Sequence, residues 1–163
     1  MGIDLETRKR GRRKVTYRRS PRSKNVYLKL LHQLYGFLAR RTSSKFNSVI
    51  HKRLAMGLNH RPVVSLSKVC GAYKVFTKQP QCNADKTIIV CVSNVTDDAR
   101  MLTVPQGFKL CCLKISESAR KRVIAAGGEI LTFDQLALRE PLGKNTVLVR
   151  GPLKCAAKYR RFN

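Results

Sequence analysis

Residues Thr87 to Val95, TIIVCVSNV, form a near-continuous β-branched and apolar run. Such a run has little polar side to turn towards water, so it reads as a strand buried in a sheet with both faces covered. A second run, Leu110 to Ile115, has the same character, and Glu129 to Leu131 and Asn145 to Gly151 add two further candidate strands. VVSLS, Val63 to Ser67, alternates as a short strand before a brief helical stretch near Lys68 to Phe76, and Thr77 to Lys86, around Pro80, reads as a loop. Ser116 is placed to cap a helix whose Ala119, Val123, Ile124 and Ala126 can face a sheet, while Arg120, Lys121 and Arg122 project from the other side. Gly127 and Gly128 end that helix, and Thr132 with Gln135 has capping-box spacing for the short helix FDQLAL. Alternation of strand and helix predicts an α/β body.

Upstream the period changes. Val26, Tyr27, Leu30, Leu31, Leu34, Phe37 and Leu38 recur at three- and four-residue spacing, which predicts one inward face of a helix capped by Ser23 and ending near Arg40. A second helix is expected after Ser44, with Phe46, Val49, Ile50 and Leu54 inward and Gly57 as its stop. The short link between them predicts a helical hairpin. The expected organisation is an extended basic arm over 1–23, a hairpin over 24–62, the α/β body over 63–151 and a basic C-terminal segment over 152–163. A chain of 163 residues, 43% of them hydrophobic, is long enough to build a core.

Charge narrows the partners. No Asp or Glu lies between Glu6 and Asp85, whereas Thr7 to Ala84 hold 20 of the 34 Lys and Arg, and the net charge is +25. Solvated helix faces normally mix both signs to gain modest pair energies, so a stretch without acids calls for an external polyanion, with nucleic acid first. Arg8, Lys9, Arg10, Arg12, Arg13, Lys14, Arg18, Arg19, Arg22 and Lys24 are expected along the arm, Arg40, Arg41, Lys45, Lys52, Arg53 and Arg61 on the hairpin, Arg120, Lys121 and Arg122 on the body, and Lys158, Arg160 and Arg161 near the C-terminus. Without a zinc finger, zipper, helix-turn-helix or aromatic single-strand signature, backbone and shape recognition of folded RNA fits best, with Tyr17 and Tyr159 free to stack. A chromatin-type DNA compactor and an RNA-processing enzyme are the competing classes.

Enzymatic and metal readings find little support. Asp97 and Asp98 are adjacent carboxylates in turn-like sequence, with no histidine nearby. His32 falls on the polar side of its helix, and His51 and His60 stand apart from it and from each other in the sequence. The cysteines, Cys70, Cys82, Cys91, Cys111, Cys112 and Cys155, lack C-x-x-C spacing and read as reduced structural thiols. No phosphate-binding glycine motif, apolar leader or 18-residue apolar span occurs. No catalytic residue, metal, cofactor, small-molecule substrate or membrane is expected.

YLKLLHQLYGFLARRT (27–42), FNSVIHKRL (46–54), RPVVSLS (61–67), VTDDARMLTVP (95–105), AGGEILTFDQLAL (126–138) and GPLKCAAKYRRF (151–162) run in order along the chain. Together they strongly resemble the eukaryotic large-subunit ribosomal protein eighteen family, a relative of bacterial large-subunit protein fifteen. The resemblance implies a mixed α/β body of the type those two families share, preceded by a basic arm. It also implies a structural, non-catalytic place on large-subunit ribosomal RNA beside other large-subunit proteins, in the cytosol after nucleolar assembly.

Overall fold

A computed structural model describes residues 18–78 and 86–152. The elements in chain order are α1 (Val26–Thr42), α2 (Lys45–Ala55), a 3-10 turn (Leu58–His60), β1 (Val64–Ser65), α3 (Leu66–Thr77), β2 (Ile88–Thr96), β3 (Lys109–Ile115), α4 (Glu117–Ala125), β4 (Glu129–Leu131), α5 (Phe133–Arg139) and β5 (Thr146–Val149). All recorded pairings in the five-stranded sheet are parallel, with β2 at its centre. β3 and then β4 follow on one side of β2. On the other side two short strands share the edge of β2, β5 against Ile88 to Cys91 and β1 against Val95 and Thr96.

Both faces of β2 are covered, as its composition requires. Ile89, Cys91 and Val95 pack with Leu66, Val69, Ala119 and Val123 under α3 and α4. Ile88, Val90 and Val92 pack with Tyr35, Ile50, Leu54, Phe133 and Leu136 under α1, α2 and α5. The hairpin is therefore one outer layer of a three-layer α/β/α arrangement. Its turn is also tied to the body by polar contacts: Ser44 Oγ donates to the Leu142 carbonyl at 3.0 Å, and buried Asn47 donates to the Pro141 carbonyl at 2.8 Å. Tyr35 donates its hydroxyl to the Phe133 carbonyl at 3.0 Å and meets the Phe133 ring edge-on.

Several local expectations change. Asn25 caps α1, its side chain accepting from the Tyr27 amide at 3.0 Å, while Ser23 Oγ accepts from the Asn25 amide one step earlier. α1 ends at Thr42, and α2 passes through Met56 into extended backbone, so Gly57 is no left-handed stop. The left-handed residue of the hairpin is Ser43, at φ 51°. Part of the expected inward face of α1 points out: Leu28 and Tyr35 are buried, whereas Val26, Tyr27, Leu30 and Phe37 are exposed. β1 has only two residues, because α3 already begins at Leu66. Ile124 is exposed on α4. Gly127 is left-handed, at φ 68°, but Gly128 is needed for closeness: a Cβ there would sit 2.6 Å from the Phe108 carbonyl.

Candidate nucleic-acid interface

From Arg18 to Lys78 the described residues include 14 Lys and Arg and no carboxylate. The fold gathers part of this charge at the two ends of the hairpin. At the turn end, Arg40 and Arg41 occupy the last turn of α1, where a cation complements the negative helix pole, and Lys45 opens α2 without any acidic residue in its first turn. The Arg41 guanidinium lies over the Phe37 ring, 5.6 Å from its centroid.

At the other end Arg18 and Arg150 reach the Gly57–Arg61 turn, Arg53 lies beside Arg150, and Arg61 closes the turn itself. Arg18 Nη1 lies so close to Gly57 that a Cβ there would be 2.9 Å away, and glycine keeps that approach open. Arg53, in the last turn of α2, donates from Nη1 towards the Val149 carbonyl at 3.4 Å. Arg150, just past β5, donates from Nη2 to the His60 carbonyl at 2.9 Å. Arg61 ends the turn, half-buried. The Nε atoms of Arg61 and Arg150 are buried without a hydrogen-bond partner. Burial lowers the pKa of Arg53 and Arg61, and the neighbouring Arg150 lowers that of Arg53 further. Both effects disfavour the charged form, yet arginine stays protonated, so the cost stands until an anion approaches.

Beside this cluster the rings of His32 and His51 stack at 4.1 Å between centroids, contrary to the expectation that the histidines stand apart. Gly36 makes the contact possible, since a Cβ there would press on His51 Nε2 at 3.1 Å. Burial and the facing His51 lower the pKa of His32, opposed by a hydrogen bond with the Arg19 backbone; burial and Arg40 lower that of His51.

The remaining predicted residues divide clearly. Arg19, Arg22, Lys24, Lys52, Arg120 and Lys121 lie at the surface of α1's approach, α2 or α4, with Lys121 paired to Glu117 at 3.1 Å. Arg122 turns inward instead of projecting with its neighbours. It donates to Asp97 Oδ1 at 2.7 Å, to the Asp98 carbonyl at 3.0 Å, and to the carbonyls of Met101 and Leu102. Asp98 is itself buried and held below the usual carboxylate range by Arg100, with help from Ser67. The two aspartates are thus each engaged by an arginine, as a structural turn requires and a catalytic dyad does not. Arg8, Lys9, Arg10, Arg12, Arg13, Lys14, Lys158, Arg160, Arg161, Tyr17 and Tyr159 lie outside the described residues. Sequence reasoning missed Arg150, because nothing in VRGP places it beside residue 53; only the pairing of β5 with β2 does so.

The family model for "Ribosomal protein 60S L18 and 50S L18e" matches residues 2–163. The chain belongs to this family of ribosomal proteins. It is 49% identical over 162 residues to "Large ribosomal subunit protein eL18A" of Schizosaccharomyces pombe, covering 99% of this chain and 82% of that protein. It is 48% identical to "Large ribosomal subunit protein eL18" of Drosophila melanogaster, covering 99% of this chain and 81% of that one. In this L18 family member the ion-paired aspartates and buried cysteines serve the scaffold, consistent with a protein that builds structure and catalyses no reaction.

Proposed function

We infer that the chain is a structural constituent of the large ribosomal subunit, bound to folded ribosomal RNA through phosphate contacts. The observation that carries this reading is the gathering of Arg18, Arg53, Arg61 and Arg150 around one turn, within a fold whose stretch from Arg18 to Lys78 holds no carboxylate. Phosphate oxygens would supply the missing countercharge to the guanidinium groups that reach the surface of this turn. The second patch, Arg40, Arg41 and Lys45, stands at the opposite end of α2. Eleven helical residues separate the ends by about 16 Å, far more than the ~3.4 Å axial phosphate spacing along one strand of a duplex. The hairpin therefore holds two cationic patches far enough apart to engage phosphates several nucleotides distant or on separate strands, and the cations of the N-terminal arm, with Arg120, Lys121, Lys158, Arg160 and Arg161, add contacts around it. Such contacts position the protein on the RNA without reading sequence. The cytosolic large subunit is the site of action, with nucleolar passage during assembly and other large-subunit proteins as neighbours.

Deleting residues 1–24 should abolish stable incorporation into large subunits, measured by sedimentation of tagged chain with subunit RNA. For the free chain, the triple change Arg53→Gln, Arg61→Gln, Arg150→Gln should lower the slope of log affinity against log salt by roughly one unit per lost contact. Co-purification with chromatin in place of subunits would overturn the assignment.

A further inference from the structure

α1 carries two apolar faces, and the fold uses only one. At about 100° per residue, Leu28 and Tyr35 fall on the buried side, while Val26, Leu30 and Phe37 lie within roughly 40° of one another on the opposite side. Val26 is 74% exposed, Leu30 54% and Phe37 50%. A helix apolar on opposite sides is suited to burial on both. The flanks are cationic: Lys29 and Arg40 border the stripe on one margin and Arg41 on the other, and α1 contains no carboxylate.

We propose that this stripe is a docking surface for a neighbouring protein, taking an amphipathic helix whose apolar row is flanked by Asp and Glu. This rests on the ribosomal reading above and names the chemistry of one partner. RNA fits the stripe poorly. Val26 and Leu30 offer neither charge nor a hydrogen-bond donor to phosphate or ribose hydroxyls, and Phe37, the ring suited to stacking a base, already carries the Arg41 guanidinium. A second copy fits no better, because it would bring the same cations against Lys29, Arg40 and Arg41 on a chain of net charge +25. An acidic partner helix complements the apolar row and its Lys29 margin, while Arg40 and Arg41, beyond Phe37 in the last turn of α1, stay with the phosphate patch.

The test places a photoreactive phenylalanine analogue at position 30, and separately at position 37, of the full chain assembled into large subunits. After irradiation the adducts are identified by mass spectrometry. The expected result is an adduct to another subunit protein, within a segment whose apolar residues recur at three- and four-residue spacing between acidic ones. Lys29→Glu in the same chain should reduce that adduct at least threefold. Adducts to nucleotides, to a second copy or to a segment without acidic residues would overturn the proposal, as would no adduct from either position in subunits that contain the chain. Failure of the wild-type chain to enter subunits would instead bring down the ribosomal reading, and this surface with it.

Discussion

Arg122→Ala is expected to cost stability rather than RNA affinity, which separates Arg122 from its neighbours Arg120 and Lys121. Its guanidinium bonds the Asp97 carboxylate and three backbone carbonyls between residues 98 and 102, closing the loop that follows β2 onto α4. Charge-assisted hydrogen bonds of this kind contribute about 1.5 to 3 kcal/mol. The side chains of Arg122 and Asp97 are 26% and 24% exposed, so water compensates part of the loss, and a fully buried pair's penalty of ~3 to 5 kcal/mol is not reached. A net cost of about 2 kcal/mol follows, corresponding to a fall of roughly 1 M in urea midpoint at typical slopes of ~1 to 3 kcal/mol/M. Lys121→Ala breaks only an exposed pair, 76% and 81% accessible, and should move stability by about 0.5 kcal/mol or less. The assay is urea denaturation of the free chain, followed by circular dichroism, alongside RNA binding across a salt series. An Arg122→Ala midpoint within about 0.3 M of wild type, together with a roughly tenfold loss of RNA affinity, would refute the structural role.

Gly143 combines φ 75° with a position where a Cβ would overlap the Phe46 ring, so Gly143→Ala should destabilise the chain by about 2 to 4 kcal/mol in the same urea assay. His32 and His51 have folded pKa values below the ordinary 6.5, so between the two values the unfolded chain binds more protons than the folded one. Their contribution is complete above about pH 6.5 and is lost as pH falls towards the folded values; the urea midpoint should decline across that window, and the double change His32→Gln, His51→Gln should flatten the decline. Burial pushes the thiol of Cys91 up to about 12 and those of Cys70 and Cys112 to about 11, and raises Cys111 as well. At about pH 8, iodoacetamide should therefore label these four slowly in the native chain and rapidly in urea, read peptide by peptide by mass spectrometry.

Residues 87 to 151 were largely legible because each local rule there agrees with the global arrangement. β2 is apolar on both faces, Ser116 accepts from the Ala119 amide as an N-cap should, and Thr132 and Gln135 form the full capping box. α1 misled for the opposite reason: its helical period is real, but a period cannot say which of two apolar faces meets the sheet. Asn25 likewise displaced Ser23 as the cap, since both residues have the required chemistry and only backbone geometry selects between them.

What the amino-acid order settled by itself was the class of partner and the class of fold. Charge is additive along a chain, so an acid-free stretch remains acid-free however it folds, and a β-branched run demands cover on both faces wherever it lies. Tertiary structure alone decided which cations lie together. Arg18 and Arg150 are far in sequence from Arg53 and Arg61, and Arg150 joins them because β5 aligns with the first half of β2 and delivers it to the end of α2. The same packing withdrew Arg122 from the surface, since a loop whose carbonyls need donors offered it more than water did.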